Sequence, residues 1–177
     1  MLGFDKLQEL VTQQKLIEKI SEKELNKKGG VSFDLRIGEI HKFTGKGFLF
    51  IDETKTPSTH LLGKYEENNP AKVTLYPNEY YIVKTIEKVN LPKEIACIII
   101  SRTTLFRSGL LLLSGLVDPG YSGELTAGLI NLTNKPFTLE LGSRIANLIS
   151  YTIEGNANPY FSNYHGGLLG KDDTKKP

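Results

Sequence analysis

The sequence predicts a mainly β domain of sandwich, barrel or jelly-roll type, preceded by one N-terminal helix and followed by a loose C-terminal arm. Three observations carry this expectation. Short runs rich in branched and aromatic residues recur from residue 31 to residue 153, turn residues separate them, and helical spacing is confined to about residues 3–22. The uneven spacing of the runs disfavours a propeller or a solenoid.

The helix is read from "FDKLQELVTQQKLIEKI", where Phe4, Leu7, Leu10, Val11, Ile17 and Ile20 recur at mostly helical intervals among charged and amide residues. The pattern stops at "NKKGG", and "VSFDLRIGEI" opens the strand-like part of the chain. The following runs are "KGFLFI", "KVTLYPNEYYIVKTIEKV", "EIACIII", "ELTAGLINLT", "FTLELG" and "RIANLISYTI". After Ile153 the chain turns to "EGNANPYFSNYHGGLLGKDDTKKP", rich in Asn, Gly and Lys. The division expected is one domain over residues 1–155 and an arm over 156–177.

A chain of 177 residues fits one domain with a genuine core. With 22 Lys plus Arg against 20 Asp plus Glu, the net charge of +2 gives no global field for nucleic acid or a membrane surface. The single cysteine, Cys97, sits inside an apolar run, which excludes a disulfide framework and a Cys-rich zinc site within the chain. His41, His60 and His165 share no metal-ligand spacing. The lysine-rich "EKISEKELNKK" and "KDDTKKP" mix signs and read as solvated surface. No signal-peptide core and no membrane-span length is present, so a soluble cytoplasmic protein is expected.

Two stretches offer chemistry. In "ISRTTLFRSGL" a strand ends on Arg102, hydroxyls follow at Thr103 and Thr104, and Arg107 comes one helical turn later. Guanidinium forks, hydroxyls and backbone N–H groups at a turn suit a polyphosphate, and the same residues also make a capped turn with two surface arginines. In "GLVDPGYSGEL" the Asp-Pro-Gly is a common turn, yet Asp118 beside Tyr121 places a carboxylate where it could orient water.

"SRTTLFRSGL", "GLVDPGYSGEL" and "GSRIANLI" resemble successive motifs of the superfamily of dUTP diphosphatases (dUTPases) and dCTP deaminases. The spacing from Asp118 through Asn131 to "GSRIAN" is similar to the dUTPase pattern, while "VSFDLRIGE", the leading helix and "NYHGGLLG" are similar to the deaminase branch. The resemblance implies a dUTPase-like distorted jelly roll (β-clip) assembled as a homotrimer, with sites between subunits and Mg²⁺ as cofactor. It implies Asp118 as the acid that activates the attacking water, Tyr121 as the aromatic under the deoxyribose, and Arg102, Thr103, Thr104 and Arg107 as phosphate ligands. Asp34 matches the aspartate that meets hydrated magnesium through water. Ser114, Gly115, Asn147, Gly166 and Gly167 complete the implied substrate-binding set.

Deaminases of this superfamily place their proton-shuttling glutamate at the position of Gly128, and glycine cannot move a proton. The expectation is therefore dUTP hydrolysis to dUMP and pyrophosphate. The alternatives are dCTP deamination, a non-catalytic nucleotide-binding trimer and a purely structural jelly-roll module. The hairpin before Asp118 is shorter than usual, Asn147 replaces a common glutamine, and Leu168 stands where dUTPases place a stacking phenylalanine.

Overall fold

The computed structural model describes residues 1–27, 30–161, 166, 167 and 169. Helix α1 (Phe4–Gln14) buries Leu7, Leu10 and Val11 and ends at Lys15, whose left-handed backbone (φ 54°) lets its amide bond the Leu10 carbonyl. The helix is thus shorter than the expected 3–22. Leu16 and Ile17 are buried, but outside the helix: Leu16 sits in a bend, β1 (Ile17–Glu18) pairs with Val89 and Lys88, and the Asn90 side chain holds the Lys15 carbonyl at 3.0 Å. A short α2 (Glu22–Leu25) follows, capped by the Ser21 hydroxyl.

The strands are β2 (Ser32–Phe43), β3 (Phe48–Leu49), β4 (Thr54–Lys55), β5 (Thr59–Lys64), β6 (Lys72–Leu75), β7 (Tyr80–Asn90), β8 (Ile95–Ser101), β9 (Leu110–Leu113), β10 (Leu116–Val117), β11 (Ser122–Asn131), β12 (Phe137–Glu140) and β13 (Arg144–Thr152). Helix α3 (Thr103–Arg107) joins β8 to β9. The main sheet runs β10-β8-β13-β2-β7-β11-β9, with β5 also on β2 and β1 also on β7. Strand β2 links the two halves: its first part pairs with β13 and its second with β7 and β5. Bulges in β2, β11 and β13 curl the sheet, as extra residues in antiparallel ladders do. This mainly β, curled-sheet architecture with a leading helix is the dUTPase-like jelly roll expected from the sequence.

The inward residues of the curled sheet form one core, including Phe33, Leu35, Ile37, Tyr81, Val83 and Leu129. In β7 the inward face also carries Thr85 and Glu87. Burial pushes the Glu87 carboxyl up, against the Arg36 side chain, whose Nε lies 2.6 Å from Oε1. Cys97 is buried beside the Ser150 hydroxyl, and burial raises its thiol to about 11, in keeping with a structural role. Asn131 is structural as well: its side chain bonds the Leu75 and Lys135 carbonyls and the Thr133 amide.

Candidate active site

The expected site residues fall into two groups. The first sits where β8 runs into α3. Arg102 is the residue before α3, and its Nε lies 3.0 Å from Asp34 Oδ2. Nη1 of Arg144 is 3.0 Å from that same oxygen and 3.0 Å from Glu24 Oε1, while Glu24 Oε2 accepts the Asp34 amide and the Lys27 ammonium. Asn147 faces Asp34 across the β13–β2 ladder. Thr103, Thr104 and Arg107 are exposed on α3, with Thr103 and Arg107 one turn apart on one side of it. The group gathers three cationic side chains around two carboxylates, so the arginines are held in place before any anion arrives.

Arg144 and Glu24 were not singled out in the sequence. Arg144 lies within the quoted "GSRIAN", so a signal existed. Glu24 lies in the "EKISEKELNKK" read as solvated surface, and the structure corrects that reading: the Glu24 side chain is 2% exposed because it closes over Asp34 and Arg144. Burial tends to raise its carboxyl, but bonds from the Asp34 amide, Lys27 and Arg144 together hold it below the usual glutamate range.

The second group surrounds the turn after β10. The Gly120 amide bonds the Leu91 carbonyl and the Tyr121 amide bonds the Asp118 carbonyl, which leaves the Asp118 side chain half-buried in a cleft of about 250 Å³. Gly115, Tyr121, Thr126 and Tyr160 also line this cleft. The Tyr121 ring is buried edge-on against Tyr160 (5.2 Å between centroids), its hydroxyl donates to the Glu124 carbonyl at 2.6 Å, and it accepts the Gly167 amide at 3.1 Å. Burial raises its pKa, so it stays a neutral phenol. Gly166 also bonds the Ser122 carbonyl, and a Cβ on Gly123 would strike Gly166, so this close approach requires glycine at 123. Ser114 donates to the Ile99 carbonyl at 2.7 Å and borders a neighbouring recess with Gly115, Thr126 and Gly128.

One chain does not bring the groups together. Val117 pairs with Cys97 near the start of β8, and Arg102 follows its end, so Asp118 and Arg102 are separated by about six strand residues, or roughly 20 Å. His60 is exposed, His41 lies against Glu39, and His165 and Leu168 are outside the described residues. Among the described residues no group of three or more His, Cys, Asp or Glu could hold a metal. Asp34 Oδ2 is shared by two guanidiniums, which fits an arginine-orienting role and not a direct metal ligand.

A family model described as dCTP deaminase-like matches residues 1–153, so the chain belongs to that family, within the dUTPase and dCTP deaminase superfamily. A dCTP deaminase of Pyrococcus horikoshii is 33% identical over 157 residues, covering 88% of each chain. A dCTP deaminase of Dictyoglomus turgidum described as dUMP-forming is 34% identical over 143 residues, covering 76% of this chain and 73% of its own. The crystal structure of a 2′-deoxycytidine 5′-triphosphate deaminase from Agrobacterium tumefaciens matches in fold, with a TM-score of 0.63 at 16% identity over 84% of this chain and 46% of that one. No helix among the described residues is long and apolar enough to cross a membrane.

Proposed function

We propose that the protein hydrolyses dUTP to dUMP and pyrophosphate in a homotrimer, with each site built from Asp118 and Tyr121 of one subunit and the Arg102 group of the next. Asp118 orients the attacking water, Tyr121 packs under the deoxyribose, and Arg102, Arg107, Thr103 and Thr104 meet the phosphates, where positioning and neutralisation do most of the work. Mg²⁺, when bound to the triphosphate, supplies further neutralisation. The observation that carries the hydrolase reading is Gly128. A Cβ there would fall on the Tyr80 hydroxyl, so no carboxylate occupies the place from which a proton could be moved to a pyrimidine ring.

The separation of Asp118 from Arg102 supports the shared site. Ile98, Ile100, Leu111, Leu113 and Leu116 are exposed on β8, β9 and β10, an apolar surface of the kind that subunit interfaces cover.

A second reading, deamination of dCTP, is the one the relatives favour, since proteins named dCTP deaminase match most of the chain at about a third identity. Water addition at C4, protonation of N3 and loss of ammonia need a group that carries protons. Glu124 points along the same face of β11 but lies four residues from Gly128, roughly 13 Å along the strand, and faces Lys19 at 3.9 Å.

Mixing two inactive variants tests the shared site. Asp118→Asn and Arg102→Ala subunits, unfolded and refolded together in equal amounts, should regain about a quarter of wild-type dUTP hydrolysis, the fraction of adjacent pairs carrying both intact groups. No recovery in a mixed trimer would place both groups in one chain's site and refute the arrangement.

A further inference from the structure

The Asp118 cleft continues past Gly115 and Thr126 into a recess of about 370 Å³ walled by Ile82, Leu113, Leu169 and Gly128. In the β7–β11 ladder Gly128 faces Ile82 and Ile130 faces Tyr80. From that diagonal position the Tyr80 ring leans over Gly128, within the reach aromatic side chains have across a ladder, and its hydroxyl takes the place of a Cβ at 128. Phe43 stacks on the ring, with centroids 5.7 Å apart and planes 18° from parallel. The residue is still 37% exposed, and among the described residues its hydroxyl has no hydrogen-bond partner.

An aromatic covering a strand glycine stabilises the sheet, and phenylalanine would do that equally well. The hydroxyl calls for a further role. The recess has apolar walls suited to the faces of a flat ring, whose edge atoms need polar partners. Its lining hydroxyls come from Thr126 and from Ser114, which is committed to the Ile99 carbonyl, and the Tyr80 hydroxyl lies over Gly128 in its wall.

We propose that Tyr80 is the residue that reads the pyrimidine, its hydroxyl bonding the ring edge from the space that a side chain at 128 would otherwise fill. The inference rests on the proposed reading of the site as one for a pyrimidine deoxynucleoside triphosphate. A phenol both donates and accepts, so it can pair with a ring carbonyl or with a ring N–H, and it brings no charge to the recess.

Tyr80→Phe keeps the ring, the Phe43 stack and the cover over Gly128, and removes only the hydroxyl. Its KM is measured for whichever of dUTP and dCTP the wild type turns over, or its Kd for dUTP if there is no turnover. Inhibition or binding by inorganic tripolyphosphate, which has no base, is measured alongside. The expected result is a rise of roughly five- to tenfold for the nucleotide with tripolyphosphate and thermal midpoint unchanged. Gly128→Ala, whose Cβ displaces the hydroxyl, should weaken the nucleotide in the same direction. An unchanged nucleotide constant in Tyr80→Phe, or equal weakening of nucleotide and tripolyphosphate, would overturn the role of Tyr80 alone. A wild type that binds neither nucleotide would overturn the substrate reading and this inference with it.

Discussion

Arg102 and Asp34 form an ion pair with 3.0 Å between Nε and Oδ2, and Arg144 bonds the same carboxylate oxygen. The aspartate therefore aims two guanidiniums. Asp34→Asn keeps the shape and removes the charge, so both arginines should lose their fixed geometry. The expected effect is a rise of roughly tenfold in KM for dUTP with a smaller change in kcat, checked by steady-state kinetics. A fall in kcat alone would assign Asp34 to the chemical step.

Asp118 faces the cleft without sharing in the arginine cluster. Asp118→Asn should lower kcat by about 10²–10⁴-fold, the range for loss of a positioned general base, with KM little changed. Pyrophosphate release at the wild-type rate would remove Asp118 from the mechanism.

The Tyr121 hydroxyl ties the Gly167 amide to the turn that carries Asp118. Tyr121→Phe removes that tie and the bond to the Glu124 carbonyl. Amide exchange at Gly167 should speed up by roughly tenfold while the core strands keep their protection. Unchanged exchange would mean that other contacts, such as the Gly166 bond to Ser122, hold this segment without the Tyr121 hydroxyl.

Glu24 has its carboxyl held below the usual range in the folded protein, so the folded state binds its proton less readily than the unfolded chain does. That stabilisation is present above the unfolded pKa and is lost as pH falls through the folded one. Urea unfolding from pH 7 to pH 3 should show a steeper acid loss in the wild type than in Glu24→Gln. Equal slopes would show that the Glu24 cluster contributes no pH-dependent stability.

Much of this structure was legible locally. The alternation in "YYIVKTIEKV" marks β7, since side chains in a strand face opposite sides at every step, and Arg102, Asp118 and Tyr121 sit in compact motifs. The helix was read too long because Ile17 and Ile20 keep apolar spacing past Lys15, while what ends the helix is a left-handed residue and a bond from Asn90, far away in sequence. Glu24 was missed for a related reason. Its partners Asp34 and Arg144 are 10 and 120 residues away, so its own neighbourhood shows only mixed charge. The cover of Gly128 by Tyr80 is equally invisible before the register of β7 against β11 is known.

The most direct measurement is product analysis after incubating the protein with dUTP, dCTP, dTTP and UTP in the presence of Mg²⁺. Hydrolysis guided by Asp118, with Gly128 in place of a proton-carrying residue, predicts dUMP and pyrophosphate from dUTP, little product from UTP if Tyr121 packs under the sugar as proposed, and no uracil nucleotide from dCTP. Ammonia with dUTP or dUMP formed from dCTP above a no-enzyme control would contradict it and establish deamination as the reaction of this chain.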